Sequence, residues 1–146
     1  MPLFTLIFSI LISVVCFWMN CKMIKIYFKV KKWDRVPATV TSKKIELHVK
    51  TSAAKSPYGI FANYKYLYKE DTYLSNKVYL VELVNGQVNY MESNAKIKLN
   101  EIKDDMYVFV NPHKPNESVM FCSGIGLYSL IFCFGFIALL LGISQF

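Results

Sequence analysis

Hydrophobic side chains follow three patterns along the chain. Leu3 to Cys21 is an uncharged run of 19 residues interrupted only by Thr5, Ser9, Ser13 and Asn20, and Phe121 to Ile143 is a second uncharged run of 23. At about 1.5 Å per residue each matches the roughly 30 Å thickness of bilayer hydrocarbon. The second carries Gly124, Gly126, Gly135 and Gly142, which membrane helices tolerate better than soluble ones. Each run predicts a transmembrane helix. Between Pro37 and Met120 the apolar period changes to alternation, which predicts strands.

Pro37 to Ile45 reads as a first strand, and Ile60 to Lys69 as a second with Tyr64, Tyr66 and Tyr68 on one face. Glu70-Asp71 reads as the turn into a third strand, Tyr73 to Val84. Asn85-Gly86 then suits a tight type I′ turn, after which Gln87 to Met91 returns as a hairpin. Met106 to Val110 is a further strand, and Ser118 to Phe121 a short last one. Lys50 to Pro57 reads as an exposed loop and Ser93 to Asp105 as charged connecting chain. The expected architecture is membrane α + β: two transmembrane helices flanking a small antiparallel β-sandwich or partly open β-barrel. Its parts are a first helix with basic extension (3–33), a β domain (36–120) and a second helix (121–143).

Charge orients this arrangement. The chain has 146 residues with 54% apolar and a net charge of +7, and every charged side chain lies between Lys22 and Glu117. Lys22, Lys25, Lys29, Lys31, Lys32 and Arg35 follow the first run, opposed by Asp34 alone. The positive-inside rule places that flank, and with it the middle domain, in the cytoplasm. The first run lacks a basic n-region and a small-x-small cleavage site, so it reads as an anchor rather than a cleaved signal. Lys22, Lys25, Lys29 and Lys32 recur at helical spacing opposite Met23, Ile26, Tyr27, Val30 and Trp33. The first helix therefore continues past the bilayer, its lysines reaching lipid head groups and Trp33 suiting the interface belt.

Thr5, Ser9, Ser13, Cys16 and Asn20 are spaced 4, 4, 3 and 4 apart, a stripe of small and polar residues of the kind that packs helices. On the second run Gly126, Ser129 and Cys133 make one small-residue face, and Gly135, Ala138 and Gly142 another. One would receive the first helix and the other a second copy. Ionisable groups are missing from both runs, which argues against a conducting path. Cys16, Cys21, Cys122 and Cys133 lie in or at the ends of these runs and read as packing residues, with Cys21 and Cys122 expected at one membrane face.

The order of landmarks resembles that of the bacterial two-pass membrane proteins grouped as domain of unknown function 3592. The likeness rests on Lys31-Lys32-Trp33-Asp34-Arg35-Val36-Pro37-Ala38-Thr39-Val40, on Tyr64-Lys65-Tyr66 and Tyr73, and on Val108 to Met120 with its Asn-Pro-x-x-Pro-x-x-Ser pattern. The resemblance implies architecture and a bacterial inner membrane, and carries no activity, substrate or catalytic residue. Asn111, Pro112 and Pro115 read as a rigid exit from the domain, because the prolines fix φ and remove two amide donors while Asn111 bonds the turn locally.

No chemistry-bearing motif emerges. His48 and His113 have no accompanying nucleophile elbow, Asp104 and Asp105 point to opposite faces of a strand, and metal-ligand spacing is absent. No catalytic residue, metal or cofactor is expected. Tyr64, Tyr66 and Tyr68 alternating with Lys65 could stack nucleic-acid bases, but the same pattern in a strand faces tyrosines to a core and lysines to water, so no nucleic acid is expected. The expectation is a non-enzymatic, inner-membrane-anchored protein-binding module, in its specific form a toxin-immunity protein. Its partners would be membrane lipids and a toxin or envelope protein. The alternatives are an envelope assembly factor acting through helix contacts or self-association, and a β domain that binds lipid or a small molecule.

Overall fold

An apolar run without a breaker propagates a helix until the chain meets a reason to extend. In the computed structural model, which describes residues 2–47, 58–123 and 125–144, α1 runs Pro2–Lys31 and β1 begins at Asp34. The remaining elements are β2 (Tyr58–Tyr68), β3 (Asp71–Ser75), a 3-10 turn (Leu80–Val84), β4 (Asn89–Tyr90), α2 (Glu92–Glu101), β5 (Asp105–Asn111), β6 (Lys114–Val119) and α3 (Ile125–Ser144). The chain divides into a helical unit, Met1–Lys29 with Gly124–Phe146, and a β unit, Val30–Ser123.

In the helical unit α1 is, among the described residues, the one helix long and apolar enough to cross a membrane; the apolar stretch of α3, Leu130–Ser144, is shorter. By length and composition α1 fits a membrane anchor and also a signal sequence. Its 30 residues exceed what a bilayer needs, in keeping with a helix that continues through the lysines.

The β unit is one six-stranded antiparallel sheet in the order β3-β2-β1-β5-β6, with β4 added to β2. β1 is 14 residues long because it serves two partners, its first part pairing β5 and its later part β2. A bulge between Val40 and Ser42 breaks the register and bends the strand, which helps the sheet curl. Curling brings the end strands β3 and β6 together, and the Tyr66 hydroxyl on β2 donates to the Pro115 carbonyl on β6 at 2.6 Å. The Met120 and Phe121 amides donate to the Lys77 and Val78 carbonyls at 3.1 and 2.9 Å.

Inside the curl the alternation expected from the sequence holds. Val36 and Ala38 of β1, Ile60, Ala62, Tyr64, Tyr66 and Tyr68 of β2, and Val108 and Val110 of β5 are buried. α2 packs on β1 and β2 through Ala95 and half-buried Leu99, and Ile102 follows them into the core.

Four expectations are corrected. The third strand stops at Ser75, because the chain leaves β2 there and coils into the 3-10 turn. Asn85-Gly86 is not a hairpin turn: Asn85, at φ 59°, ends the 3-10 turn, and the Gly86 amide donates to the Val81 carbonyl. The returning segment is the two-residue β4, and it pairs with β2. Ser93 to Asp105 is mostly helix, because Ala95, Leu99 and Ile102 at i, i+4, i+7 give it a face to bury.

The proline block is not the exit from the domain. β5 and β6 pair as a hairpin whose turn is Pro112-His113, Pro115 sits inside β6, and the chain leaves the sheet only after Val119. Proline is accepted there because an end strand leaves amides that need no ladder partner. Asn111 does bond the turn locally, its Oδ1 accepting the His113 amide at 3.1 Å. The Lys50 to Pro57 loop and His48 lie outside the described residues.

Candidate functional site

The predicted helix-packing residues meet in the helical unit. Ser13 is buried, and its hydroxyl lies 2.8 Å from the carbonyl of Gly135 on α3 and 2.8 Å from that of Ser9. A Cβ on Gly135 would stand 2.9 Å from Cys16 Cβ, and one on Gly142 would stand 2.6 Å from Ser9 Cβ. The face that carries Gly135 and Gly142, with Ala138 between them, therefore receives α1, because only small residues let the backbones approach this closely. Phe17 and Phe132 close the same seam edge to face at 5.0 Å. Asn20 is buried on the α1 stripe. Gly126 has nothing within 4 Å of its Cβ position, Cys133 is exposed, and the Ser129 side chain lies outside the described ones.

Of the predicted membrane-interface residues, Lys22, Lys25, Lys29, Lys31 and Lys32 are exposed. Lys22 lies over the Trp18 ring, its Nζ 5.6 Å from the centroid. Two members of the group do something else. Trp33, near the start of the β unit, is 8% exposed. Arg35 is a β1 residue paired with Phe109 of β5, and its guanidinium lies 5.1 Å from that ring.

In the β unit the tyrosines knit the curled sheet. The Tyr64 hydroxyl is 2.9 Å from Ser118 Oγ on β6 and donates to the Lys77 carbonyl at 3.0 Å. Burial pushes its phenol far above the ordinary range, against the opposing Ser118 bond. Tyr68 donates to Asp34 Oδ2 at 2.5 Å, and that bond holds its phenol up as well. The inner face of β2 is thereby committed to structure.

Among the described residues, two of the surfaces open to a ligand on the β unit are its outer sheet face and a cleft beside β2. On the outer face Leu67, Leu74 and Tyr107 are 61%, 74% and 65% exposed. Pro37, Thr39, Lys65, Leu67, Asp105 and Tyr107 line a shallow depression of about 560 Å³ there. The second surface is a cleft of about 270 Å³ with a floor of Gly59 and Ile60 and walls that include Asn76, Lys77, Glu82, Asn85, Gln87 and Asn89. Its two charges are engaged locally. Lys77 Nζ donates to the Glu82 carbonyl at 3.0 Å, and Glu82 Oε2 accepts the Val78 amide at 2.8 Å. Burial raises the Glu82 carboxyl, opposed by the Val78 and Tyr79 amides and by Lys77.

The residues lining the cleft include no Ser, Thr, Cys or His, so what it offers a ligand is carboxamides and main chain. Among the described residues no three His, Cys, Asp or Glu side chains converge as a metal site. Asp104 pairs with Lys43 at 3.1 Å, and Asp105 accepts from Thr39 Oγ1 at 3.2 Å. Sequence reasoning missed the cleft, which is assembled from parts of β2, the 3-10 turn and β4. The one local signal was four carboxamides, Asn76, Asn85, Gln87 and Asn89, within 14 residues. Comparison with family models, curated proteins and solved structures finds no match for the chain.

Proposed function

We propose that this chain is a non-enzymatic protein-binding module of the bacterial inner membrane, held by α1 and α3 as two spans with the β unit on the cytoplasmic side. The observation that carries the reading is the outer sheet face, where Leu67, Leu74 and Tyr107 are largely exposed while the inner face is filled. Apolar side chains grouped on a strand face cost solubility unless something covers them. The specific form is an immunity protein, whose partner is a toxin.

The test is a photo-activated cross-linker in intact cells at Leu74 or Tyr107, with Glu46 as the exposed control. A discrete protein adduct from the first two positions and none from the control supports the reading; cross-linking from none of the three defeats it. For immunity, co-expression with a neighbouring toxin gene must protect the cells. Sidedness is read by an impermeant thiol reagent at Ser93→Cys in a cysteine-free background, and labelling before the inner membrane is opened would reverse the topology.

A second reading, assembly through helix contacts, draws on the open small-residue face at Gly126 and Cys133. Oxidative cross-linking through Cys133 would produce a dimer if that face meets a second copy.

A further inference from the structure

The cleft beside β2 is built by an excursion of the chain and its return. After Ser75 the backbone leaves β3, coils through the 3-10 turn and comes back to β2 at Asn89, which pairs with Gly59. Gly86 permits the return, because a Cβ there would stand 2.4 Å from Val81 Cγ2. The excursion opens at Asn76 and closes at Asn89, and it gathers Asn76, Asn85, Gln87 and Asn89 around one cleft, all four exposed.

These carboxamides are not committed to the fold. Among the described residues, none of the four side chains is hydrogen-bonded to another protein group, so each presents an acceptor oxygen and two N–H donors to whatever enters. The charged side chains on the walls are engaged instead: Lys77 Nζ donates to the Glu82 carbonyl, and Glu82 Oε2 accepts the Val78 amide. Phe61 adds an apolar element. It follows the buried Ile60 in β2, so alternation turns it to the other side of the strand, where it lines the cleft and is 37% exposed.

We propose that the cleft binds a neutral sugar ring. Such a ring carries hydroxyls around its rim, each both donor and acceptor, and polarised C–H bonds on its face. Carboxamides supplied by three separate parts of the excursion, Asn76 at its start, Asn85 and Gln87 at the turn and Asn89 on β4, suit hydroxyls dispersed around a rim. The electron-rich face of the Phe61 ring suits the C–H bonds. A phosphorylated or carboxylated ligand would find no free cation, since Lys77 is held by the chain's own carbonyl. A volume of about 270 Å³ falls just below the roughly 300–1,000 Å³ of pockets for drug-sized ligands, in keeping with a single ring. This site is additional to the protein-binding reading and does not rest on it.

The experiment titrates the full chain in nanodiscs with glucose, galactose, mannose and N-acetylglucosamine in turn, and follows the side-chain amide resonances by NMR. The expected result is a saturable shift of the Asn76, Asn85, Gln87 and Asn89 signals with at least one sugar. Asn94 on α2, an exposed carboxamide outside the cleft, should not move. Gln87→Ala and Phe61→Leu should each weaken that sugar about tenfold, as loss of one directed contact does, and Asn94→Ala should leave binding unchanged. Gln87 is exposed and lies outside the strands, so its variant carries the test even where the Phe61 variant fails to fold. The phosphorylated form of the same sugar should bind no tighter than the sugar itself. No saturable shift with any of the sugars, shifts at Asn94 equal to those in the cleft, undiminished binding to Gln87→Ala, or a clear preference for the phosphorylated form overturns the proposal.

Discussion

The Ser13 hydroxyl of α1 shares its one proton between the Ser9 carbonyl of its own helix and the Gly135 carbonyl of α3, each at 2.8 Å. The contact exists because Gly135 has no side chain to hold the helices apart.

Gly135→Leu and Gly142→Leu should each cost about 1–3 kcal/mol by overpacking, read as a lowered melting temperature of the full chain in detergent. Gly126→Leu, with open space at its Cβ position, should leave the melting temperature unchanged. Ser13→Ala should cost about 0.6 kcal/mol, the average for such bonds within membranes. Equal losses at all three glycines would argue against the assigned seam.

Tyr64→Phe removes the hydroxyl that joins β2 to Ser118 and to the Lys77 carbonyl. The expected loss is about 1–3 kcal/mol, because buried polar groups are left unpaired. Denaturant unfolding with an unchanged m-value would measure it.

Alkaline stability follows from the same tyrosines. Burial raises the phenols of Tyr64, Tyr66 and Tyr79, and the Asp34 bond raises that of Tyr68. A raised folded value means that the unfolded chain releases its phenolic protons first. The stabilisation is complete below about pH 10 and is lost as pH rises above it. Phenolate absorbance should therefore appear together with loss of circular dichroism; complete ionisation of a still-folded protein would contradict the burial.

Glu82 acts with the same sign in a lower pH window. Its carboxyl is raised, chiefly by burial, so its contribution is fully present below about pH 4.3 and is lost as pH rises through the folded value. Glu82→Gln, which keeps an acceptor for the Val78 amide, should melt higher than the parent at pH 7, with the difference vanishing near pH 4. A difference independent of pH would place the effect elsewhere.

The two-residue turn that sequence patterns favoured at Asn85-Gly86 is made by Lys69 and Glu70, at φ 50° and 75°. Both residues adopt a left-handed conformation that suits Asn-Gly far better. Lys69→Asn with Glu70→Gly should stabilise the chain by about 1 kcal/mol, seen as a higher melting temperature.

Local pattern determined much of this molecule. An uncharged run has no alternative to burying its own backbone in a helix, so α1 was legible to within a turn. Tyr64, Tyr66 and Tyr68 share a face because side chains alternate in any strand. The small residues at Ser9, Ser13 and Cys16 announced a helix contact, though which face of α3 they meet was decided by the close approach at Gly135 and Gly142. Asn85-Gly86 shows where local chemistry stops. It specifies a pair able to leave the right-handed region, and either a hairpin or the end of a 3-10 turn satisfies that requirement. Only the tertiary structure decided between them, because the chain after Ser75 is drawn across to Met120 and Phe121 to join the ends of a curled sheet. That closure depends on contacts between residues about forty positions apart, which no local period encodes.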